Sequence, residues 1–178
     1  MNYQPLQKNL IDNIKEQQAK LGYRKETVYF YYPLSSLSHL FNTNCSEKEM
    51  LDILSNMPAE MTKKLGEIQV SCENERFRIA IPDTGSEYVH NHIADNEFIQ
   101  ALIQLVSQHG CTIESVIDLF KSYSENIQVQ KMNNGEFDYR ISFLDNDEDP
   151  YYYCFHDEGC HMIYHRFLPD DFADFDFL

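Results

Sequence analysis

The residue types best suited to chemistry are concentrated in one stretch of the sequence, from Tyr151 to Phe167. This stretch holds three of the seven histidines, two of the five cysteines and a run of tyrosines. Its pattern predicts two short strands joined at 157–160, where Gly159 favours a tight turn. Imidazole and thiolate groups are ligands for zinc and related metals, so this is the first place to look for a metal or ligand site.

The turn decides which side chains of this hairpin meet. A two-residue turn at Glu158-Gly159, or a four-residue loop at 157–160, predicts that His156 lies opposite His161. The same register gives two further pairs, Cys154 with Ile163 and Tyr152 with His165. Because paired residues share a sheet face, one face then carries five candidate binding residues: Tyr152, Cys154, His156, His161 and His165. A three-residue loop would place Asp157 opposite His161 instead, so the histidine cluster depends on the turn.

A metal site is the sharpest functional hypothesis for these residues, with three ligands: His156, His161 and His165. A second candidate cluster lies earlier in the chain: Glu87, His90 and His92. The spacings match no zinc motif, since the sequence has neither HExxH nor a pair of CxxC motifs. Histidines on a strand are more commonly surface groups or hydrogen-bonded core groups. The sequence therefore favours no cofactor, with zinc or a related divalent metal as the alternative.

Other catalytic and binding chemistry is less well supported. Nucleophilic catalysis by Cys154 would need a base, but on a strand the side chain of His156 points in parallel, about 6–7 Å away. A small, inert core cysteine is therefore the favoured interpretation. The acidic segment 145–149 lacks EF-hand spacing and is interpreted as a solvated turn. The C-terminal phenylalanines, Phe172 and Phe175 among them, are expected to cap the protein's own core.

Composition and charge limit the class of protein. The chain has 178 residues, 43% hydrophobic and 24% charged, which predicts a single globular domain over residues 1–178. The net charge of −15 argues against nucleic acid or an anionic membrane as a partner and suits a basic protein partner. No run approaches the ~18 apolar residues of a membrane span. Five irregularly spaced cysteines, with no apolar leader, predict reduced thiols in the cytoplasm.

Hydrophobic periodicity predicts a two-layer α+β fold, in which an antiparallel meander sheet packs against amphipathic helices. A helix is expected over 6–21, stopped by Gly22, and a strand over 26–32, followed by a short helix that Pro33 opens. Further helices are expected to begin at three N-caps: Ser46, Asp95 and Thr112. The segment 81–95 is the least regular and is interpreted as a loop.

Two further hairpins have registers that can be argued. With Asn74-Glu75 in the turn, Val70 pairs with Ile79, and Arg76 and Arg78 lie away from the core. The predicted core residues of this hairpin are Ile68, Val70, Phe77, Ile79 and Ile81. In the second hairpin a three-residue loop ending at Gly135 gives two pairs, Val129 with Tyr139 and Ile127 with Ile141.

Four stretches of the sequence resemble a known family: LGYRKETVYFYYPLSSLSHLF, IPDTGSEYVH, GEFDYRISF and YYYCFHDEGCHMIYHRFLPDDF. The family is a bacterial one, of single-domain proteins catalogued as a domain of unknown function. The resemblance spans nearly the whole chain. It implies a bacterial cytosolic protein and carries no reaction, cofactor or partner with it.

Two classes of function follow from these observations. The first is a protein-interaction or regulatory module with an acidic surface, and the second is a metal-dependent or acid–base enzyme that uses the histidine face of 151–167. A flat or convex face would favour the interaction module, whereas a deep pocket lined by the histidines would favour the enzyme. The interaction module is the preferred interpretation. Whether the protein is an enzyme, and its oligomeric state, are left open.

The cytoplasmic interpretation predicts that no disulfide forms. Thiol titration of the denatured protein, with reductant removed just before the assay, should find all five cysteines reactive. A bridge between Cys154 and Cys160, which flank the same turn, is the one exception to consider. Its persistence under a reducing poise would contradict the cytoplasmic assignment.

Overall fold

A computed structural model describes residues 1–74, 76–132, 135–146 and 148–175 of the chain. The chain divides into two compact units, Met1–Asn96 and Glu97–Leu178. The described residues contain eight helices and two antiparallel sheets, which confirms the predicted α+β class. The prediction that the chain is one domain stays a prediction.

The first unit combines five helices with a three-stranded sheet in the order β1-β3-β2. Its elements are α1 (Gln4–Leu21), β1 (Val28–Pro33), α2 (Leu34–Phe41), α3 (Glu47–Ser55), α4 (Ala59–Leu65), β2 (Gln69–Glu73), β3 (Arg76–Ile81) and α5 (Asp83–His92). The apolar stripe of α1 is fully buried in this unit's core, together with residues of the sheet and of the other helices. The sheet therefore has one face against the helices.

The second unit combines three helices with a four-stranded sheet in the order β4-β5-β6-β7, the predicted meander. Its elements are α6 (Glu97–Val106), α7 (Ile113–Tyr123), β4 (Ile127–Lys131), β5 (Tyr139–Phe143), β6 (Tyr152–Asp157), β7 (Met162–Phe167) and α8 (Pro169–Phe175). Its main core is aromatic: the ring of Phe98 makes edge contacts with Phe120, Phe143 and Tyr153 at 4.7, 5.0 and 5.6 Å.

Most local helix signals are confirmed. Helix α1 ends at Gly22, whose φ of +76° is accessible to glycine without strain. Ser46 and Thr112 each accept a backbone hydrogen bond in a capping box. Asp95 is not an N-cap, because α6 begins two residues later, and its carboxylate lies 2.6 Å from Lys15 Nζ instead.

The register predicted for the first hairpin is confirmed. Val70 pairs with Ile79, and the exposed Arg76 lies opposite Glu73. Phe77 and Ile79 are fully buried. All five predicted core residues are buried or packed against the core: Ile68, Val70, Phe77, Ile79 and Ile81. Alternation alone places the arginines outside, because the intervening residues are apolar.

The interpretation of 81–95 as a loop is wrong, since α5 occupies Asp83–His92. Pro82 precedes the first turn in an extended conformation. A Cβ atom at Gly85 would collide with the backbone carbonyl of Leu65, at the C-terminal end of α4. The absence of a side chain at Gly85 therefore allows α4 and α5 to approach closely. In the sequence, a glycine is also typical of a loop, which explains the wrong interpretation of this segment.

The register predicted for β4 and β5 is wrong by two residues. Val129 pairs with Ile141 and Ile127 with Phe143. The Met132 N–H donates to the Asp138 carbonyl at 2.8 Å, so the connection is longer than the three residues that the glycine signal predicted. Asn133 and Asn134 lie outside the described residues.

The register predicted for β6 and β7 is also wrong by two residues. His156 lies opposite Ile163, not His161, and Cys154 lies opposite His165. The Glu158 N–H donates to the His161 carbonyl at 3.0 Å, which puts the turn at Gly159-Cys160. Gly159 has φ +84°, as the first turn residue of a type II′ hairpin requires. A shift of two residues keeps every side chain on its predicted face.

Ile79 provides a direct test of the hairpin core. Ile79→Ala should lower the free energy of unfolding by about 2–4 kcal/mol, because the side chain is fully buried in the central strand of its sheet. Urea denaturation monitored by circular dichroism measures the change. Ser71→Ala on the exposed face of β2 is the control and should cost less than about 0.5 kcal/mol. Equal losses in the two variants would contradict the register.

Candidate functional site

The face predicted to carry the histidine cluster is largely covered. Cys154 is fully buried in a small cluster with Phe137 and Phe172, against which Tyr152 also packs. Phe172 belongs to α8, so the prediction that C-terminal phenylalanines cap the protein's own core is confirmed at this position. The side chain of Phe175 lies outside the described residues. This face of the sheet therefore forms a second small core, in which Cys154 is a packed, inaccessible thiol.

Tyr152 is held in the same cluster by a cationic side chain. The Arg140 guanidinium carbon lies 4.2 Å from the centroid of the Tyr152 ring and 5.1 Å from that of Phe172. Arg140 Nη2 also donates to Gln130 Oε1 at 2.6 Å. The Tyr152 ring thus takes part in packing and cation–π contacts that fasten α8 to the sheet.

His156 lies beside an acidic neighbour. Its Nδ1 atom lies 3.1 Å from Asp138 Oδ2, within ion-pair distance but outside hydrogen-bond geometry. The same carboxylate oxygen accepts a hydrogen bond from the Asp157 N–H at 2.8 Å. A carboxylate beside an imidazole can orient the ring for proton transfer. Cys154 is fully buried, which confirms its interpretation as an inert core cysteine, and it is not available as a nucleophile to such a pair.

The other two histidines of the hairpin have separate environments. His161 lies beyond the turn, with its ring centroid 6.2 Å from that of His109 on the loop between α6 and α7. The His165 ring centroid lies 5.7 Å from Phe137 and 6.3 Å from Phe167. The three imidazoles that the sequence predicted to gather are therefore distributed along the sheet.

The second predicted cluster is distributed around a helix. The carboxylate of Glu87 on α5 lies 3.4 Å from Lys25 Nζ. His90 stacks on Tyr23 with ring centroids 4.2 Å apart, and His92 stacks on Tyr88 at 4.6 Å. Residues two apart on a helix do not face each other, so the two imidazoles point in different directions.

No group of three or more histidine, cysteine, aspartate or glutamate side chains is placed to hold a metal ion within the part of the chain that the structure describes. All five cysteines are free thiols, Cys154 buried and Cys160 exposed. The zinc alternative stays a prediction, and no observed arrangement of these side chains supports it.

Part of the acidic segment is buried, contrary to its interpretation as a solvated turn. Asp149 is almost fully buried, and both of its carboxylate oxygens accept from the Tyr153 hydroxyl, at 3.0 and 2.8 Å. Burial and the charge of Asp149 together raise the pKa of the Tyr153 phenol well above its usual value. The phenol therefore stays protonated, as a hydrogen-bond donor inside the aromatic core.

The outer face of the three-stranded sheet presents an exposed set of aromatic and basic side chains. Alternation in β1 turns Tyr29 and Tyr31 outward, 47% and 59% exposed, while alternation in β3 does the same for Arg76 and Arg78. Pairing of the two strands brings Tyr31 opposite Arg78. The Arg78 guanidinium carbon lies 4.6 Å from the centroid of the Tyr29 ring. These four residues are the Tyr–Arg face.

The Tyr–Arg face combines two residue types that are common at protein interfaces. Tyrosine and arginine are the residues most enriched at the energetic centres of protein interfaces. A guanidinium presents donors in a planar fork that matches a carboxylate, and the Tyr29 ring holds the Arg78 fork against the sheet. Glu73 of β2, which lies opposite Arg76, shares this outer sheet face. The four residues of the Tyr–Arg face include no nucleophile and no acid–base group that titrates near neutral pH.

Half of the Tyr–Arg face could be predicted from the sequence. The hairpin register already placed Arg76 and Arg78 away from the core, and Tyr29 and Tyr31 alternate with Phe30 and Tyr32. The sequence did not predict the pairing of β1 with β3, two strands that are separated in the chain by three helices and β2. No local turn signal links two strands at that separation.

The fold and this surface define the class: an α+β protein with two antiparallel sheets, one of which carries an exposed Tyr–Arg face. A family model, DUF3877, described as a domain of unknown function with an E. rectale gene description, matches residues 3–175. The chain belongs to this family, which confirms the resemblance. No curated protein and no solved structure matches the chain. Among the helices described, none has the length and apolar character needed to cross a membrane.

The Tyr153–Asp149 contact predicts a stability loss at alkaline pH. Because the folded pKa of Tyr153 is raised, its contribution is complete below the unfolded value of about 10 and is lost as pH rises beyond it. Tyr153→Phe should cost about 1–3 kcal/mol at neutral pH, since it leaves the buried Asp149 without these hydrogen bonds. The variant should then lose less stability than the unsubstituted chain between neutral pH and pH values above about 10. Urea denaturation at each pH measures both effects, and parallel curves would contradict the assignment.

Proposed function

We propose that the protein is a protein-interaction module whose Tyr–Arg face binds an extended acidic segment of a partner protein. The observation that carries the proposal is the exposure of Tyr29, Tyr31, Arg76 and Arg78 on one sheet face. Exposed tyrosines bury a large area on binding at a low cost in side-chain entropy. Arginines at the same place supply directional hydrogen bonds.

The spacing of the arginines favours an extended partner. Arg76 and Arg78 are alternate residues of one strand, so their Cα atoms are about 6–7 Å apart. An extended peptide with acidic side chains at alternate positions has the same repeat. Each carboxylate of such a peptide can then meet one guanidinium, and the peptide backbone can lie across the rings of Tyr29 and Tyr31. The intervening side chains of the peptide point away from the sheet.

Local charge and net charge act in opposite directions here. The net charge of −15 would attract a basic partner, as the sequence predicted, but the Tyr–Arg face is complementary to an acidic one. At physiological salt the Debye length is about 8 Å, so distant carboxylates are screened while direct Arg–carboxylate contacts persist. The proposal therefore rests on the local charges, and salt should weaken binding less than it would for a purely electrostatic complex.

A defined peptide tests this function. A fluorescein-labelled ten-residue peptide of alternating glutamate and tyrosine should bind the protein, whereas the matched lysine–tyrosine peptide should not bind this face. Fluorescence anisotropy measures the dissociation constants. The double variant Arg76→Ala with Arg78→Ala should weaken binding of the acidic peptide by about 2–4 kcal/mol, because it removes both guanidinium forks.

The matched control is Lys63→Ala with Lys64→Ala, two exposed residues of α4 that carry the same total charge. This control should leave the dissociation constant within about twofold, since neither lysine lies on the Tyr–Arg face. Equal weakening by both double variants would show diffuse electrostatic attraction only. Equal weakening of the acidic and the basic peptide by the arginine double variant would likewise contradict the proposed recognition, because binding of a basic peptide elsewhere on the acidic chain does not need these arginines.

A further inference from the structure

Strand β4 is an open edge of the four-stranded sheet. Its only partner among the described strands is β5, and four of its five residues are exposed. Val129 is an apolar side chain with 40% of its surface exposed, and Ile127 beside it is partly buried. An edge strand with apolar side chains and unpaired backbone groups is a template for a further strand.

The hydrogen-bond pattern shows which backbone groups are available. The Asn126 carbonyl accepts from the Leu144 N–H at 2.9 Å, and the Met132 N–H donates to the Asp138 carbonyl at 2.8 Å. In an antiparallel pair, alternate residues direct their backbone groups to the same neighbour. The even-numbered residues of β4 therefore bond to β5, and the odd-numbered ones point away from the sheet: Ile127, Val129 and Lys131.

We propose that two copies of this chain pair through antiparallel β4 strands, with Gln128 on the two-fold axis. In this register Ile127 lies opposite Val129 of the partner subunit. Glu125, in the bend that precedes β4, is then placed beside Lys131 of the partner subunit. The odd-numbered residues then form hydrogen-bonded pairs, as their outward backbone groups require. The two four-stranded sheets become one continuous sheet with a self-complementary interface.

The side chains select this register. Moving the axis to Val129 would place Lys131 opposite Ile127 of the partner subunit. Moving it to Ile127 would bring Glu125, in the bend before β4, beside Val129 of the partner subunit. Only the register centred on Gln128 matches opposite charges and apolar groups together. Neither Glu125 nor Lys131 makes an ion pair with another described residue, so both charges are available across the axis.

The choice of β4 over the opposite edge follows from charge. Strand β7 contains His165 and Arg166, and neither this strand nor the two residues on either side of it include an acid. Its antiparallel pairing with a second copy would therefore lack the charge complement that Glu125, two residues before β4, provides. An edge lysine commonly protects a strand against unwanted pairing. In the proposed dimer that protection is retained against other strands, because only a partner with an acid at the position of Glu125 neutralises Lys131.

Charge reversal tests the register. Sedimentation velocity between about 1 and 200 μM should show a concentration-dependent monomer–dimer equilibrium at physiological salt, where repulsion between acidic subunits is screened. Lys131→Glu and Glu125→Lys should each weaken the dimer about five- to thirtyfold, since each places like charges opposite one another twice. Combining the two changes should restore the affinity of the unsubstituted chain. Lys48→Glu, an exposed position on α3, makes the same change in net charge as Lys131→Glu and should have little effect.

A cross-link tests the axis independently. In a Cys160→Ser background, Gln128→Cys should form a disulfide-linked dimer under mild oxidation, because residues on the axis form a non-hydrogen-bonded pair with Cα atoms about 4.5 Å apart. Gln104→Cys, at an exposed position of α6, is the control and should give no such band. A monomer throughout the concentration range would overturn the proposal. So would a dimer that the charge reversals leave unchanged, or one in which the Gln128→Cys variant fails to cross-link.

Discussion

The alternation of β3 is the constraint on which the first unit depends. This strand lies in the centre of its sheet, with Phe77, Ile79 and Ile81 completely buried against the helices. Because side chains in a strand alternate between faces, burial of these residues forces Arg76 and Arg78 to the outside. A slip of one residue would bury two guanidinium groups, at a cost far above the usual stability margin of a domain. The core and the Tyr–Arg face are therefore two consequences of one register.

The second unit uses its sheet differently, because both faces of the inner strand β6 are covered. The aromatic core packs on one face, while Phe137 and Phe172 cover Cys154 on the other. This arrangement explains why the stretch with the most reactive residue types does not form a pocket. Its cysteine is part of a core, and its histidines lie at the rim of the sheet or beyond the turn. Residue types that could perform chemistry are necessary for a site, but packing decides whether they meet.

The Tyr–Arg face and the β4 edge, for which we propose binding roles, both belong to a strongly acidic chain. In both, a few basic side chains are placed beside exposed apolar or aromatic groups, so that local complementarity opposes the long-range effect of net charge. Arg78 is held by Tyr29, whereas Lys131 lies at the end of an edge strand. Net charge thus bears on solubility and long-range attraction, and it does not identify the partner of a particular surface.

The sequence by itself determined the elements whose causes are local. Gly22, the Ser46 capping box and the alternation of β3 each depend on residues within a few positions, and these predictions are confirmed. Alternation also placed the hairpin residues from Tyr152 to His165 on their observed faces, because an error of two residues preserves the face. It could not give their partners across the hairpin, since two alternative turns differ little in local energy.

Tertiary structure decided the rest. In the sequence Gly85 is typical of a loop, but in the structure it makes room for the carbonyl of Leu65. Asp149 is likewise typical of a solvated turn, but in the structure it accepts a hydrogen bond from the Tyr153 hydroxyl. The candidate site itself depends on the pairing of β1 with β3, which brings Tyr31 opposite Arg78. That pairing joins residues separated by more than forty positions. The burial of a shared core offsets the loss of chain entropy that the pairing requires. Local sequence patterns do not predict such a contact.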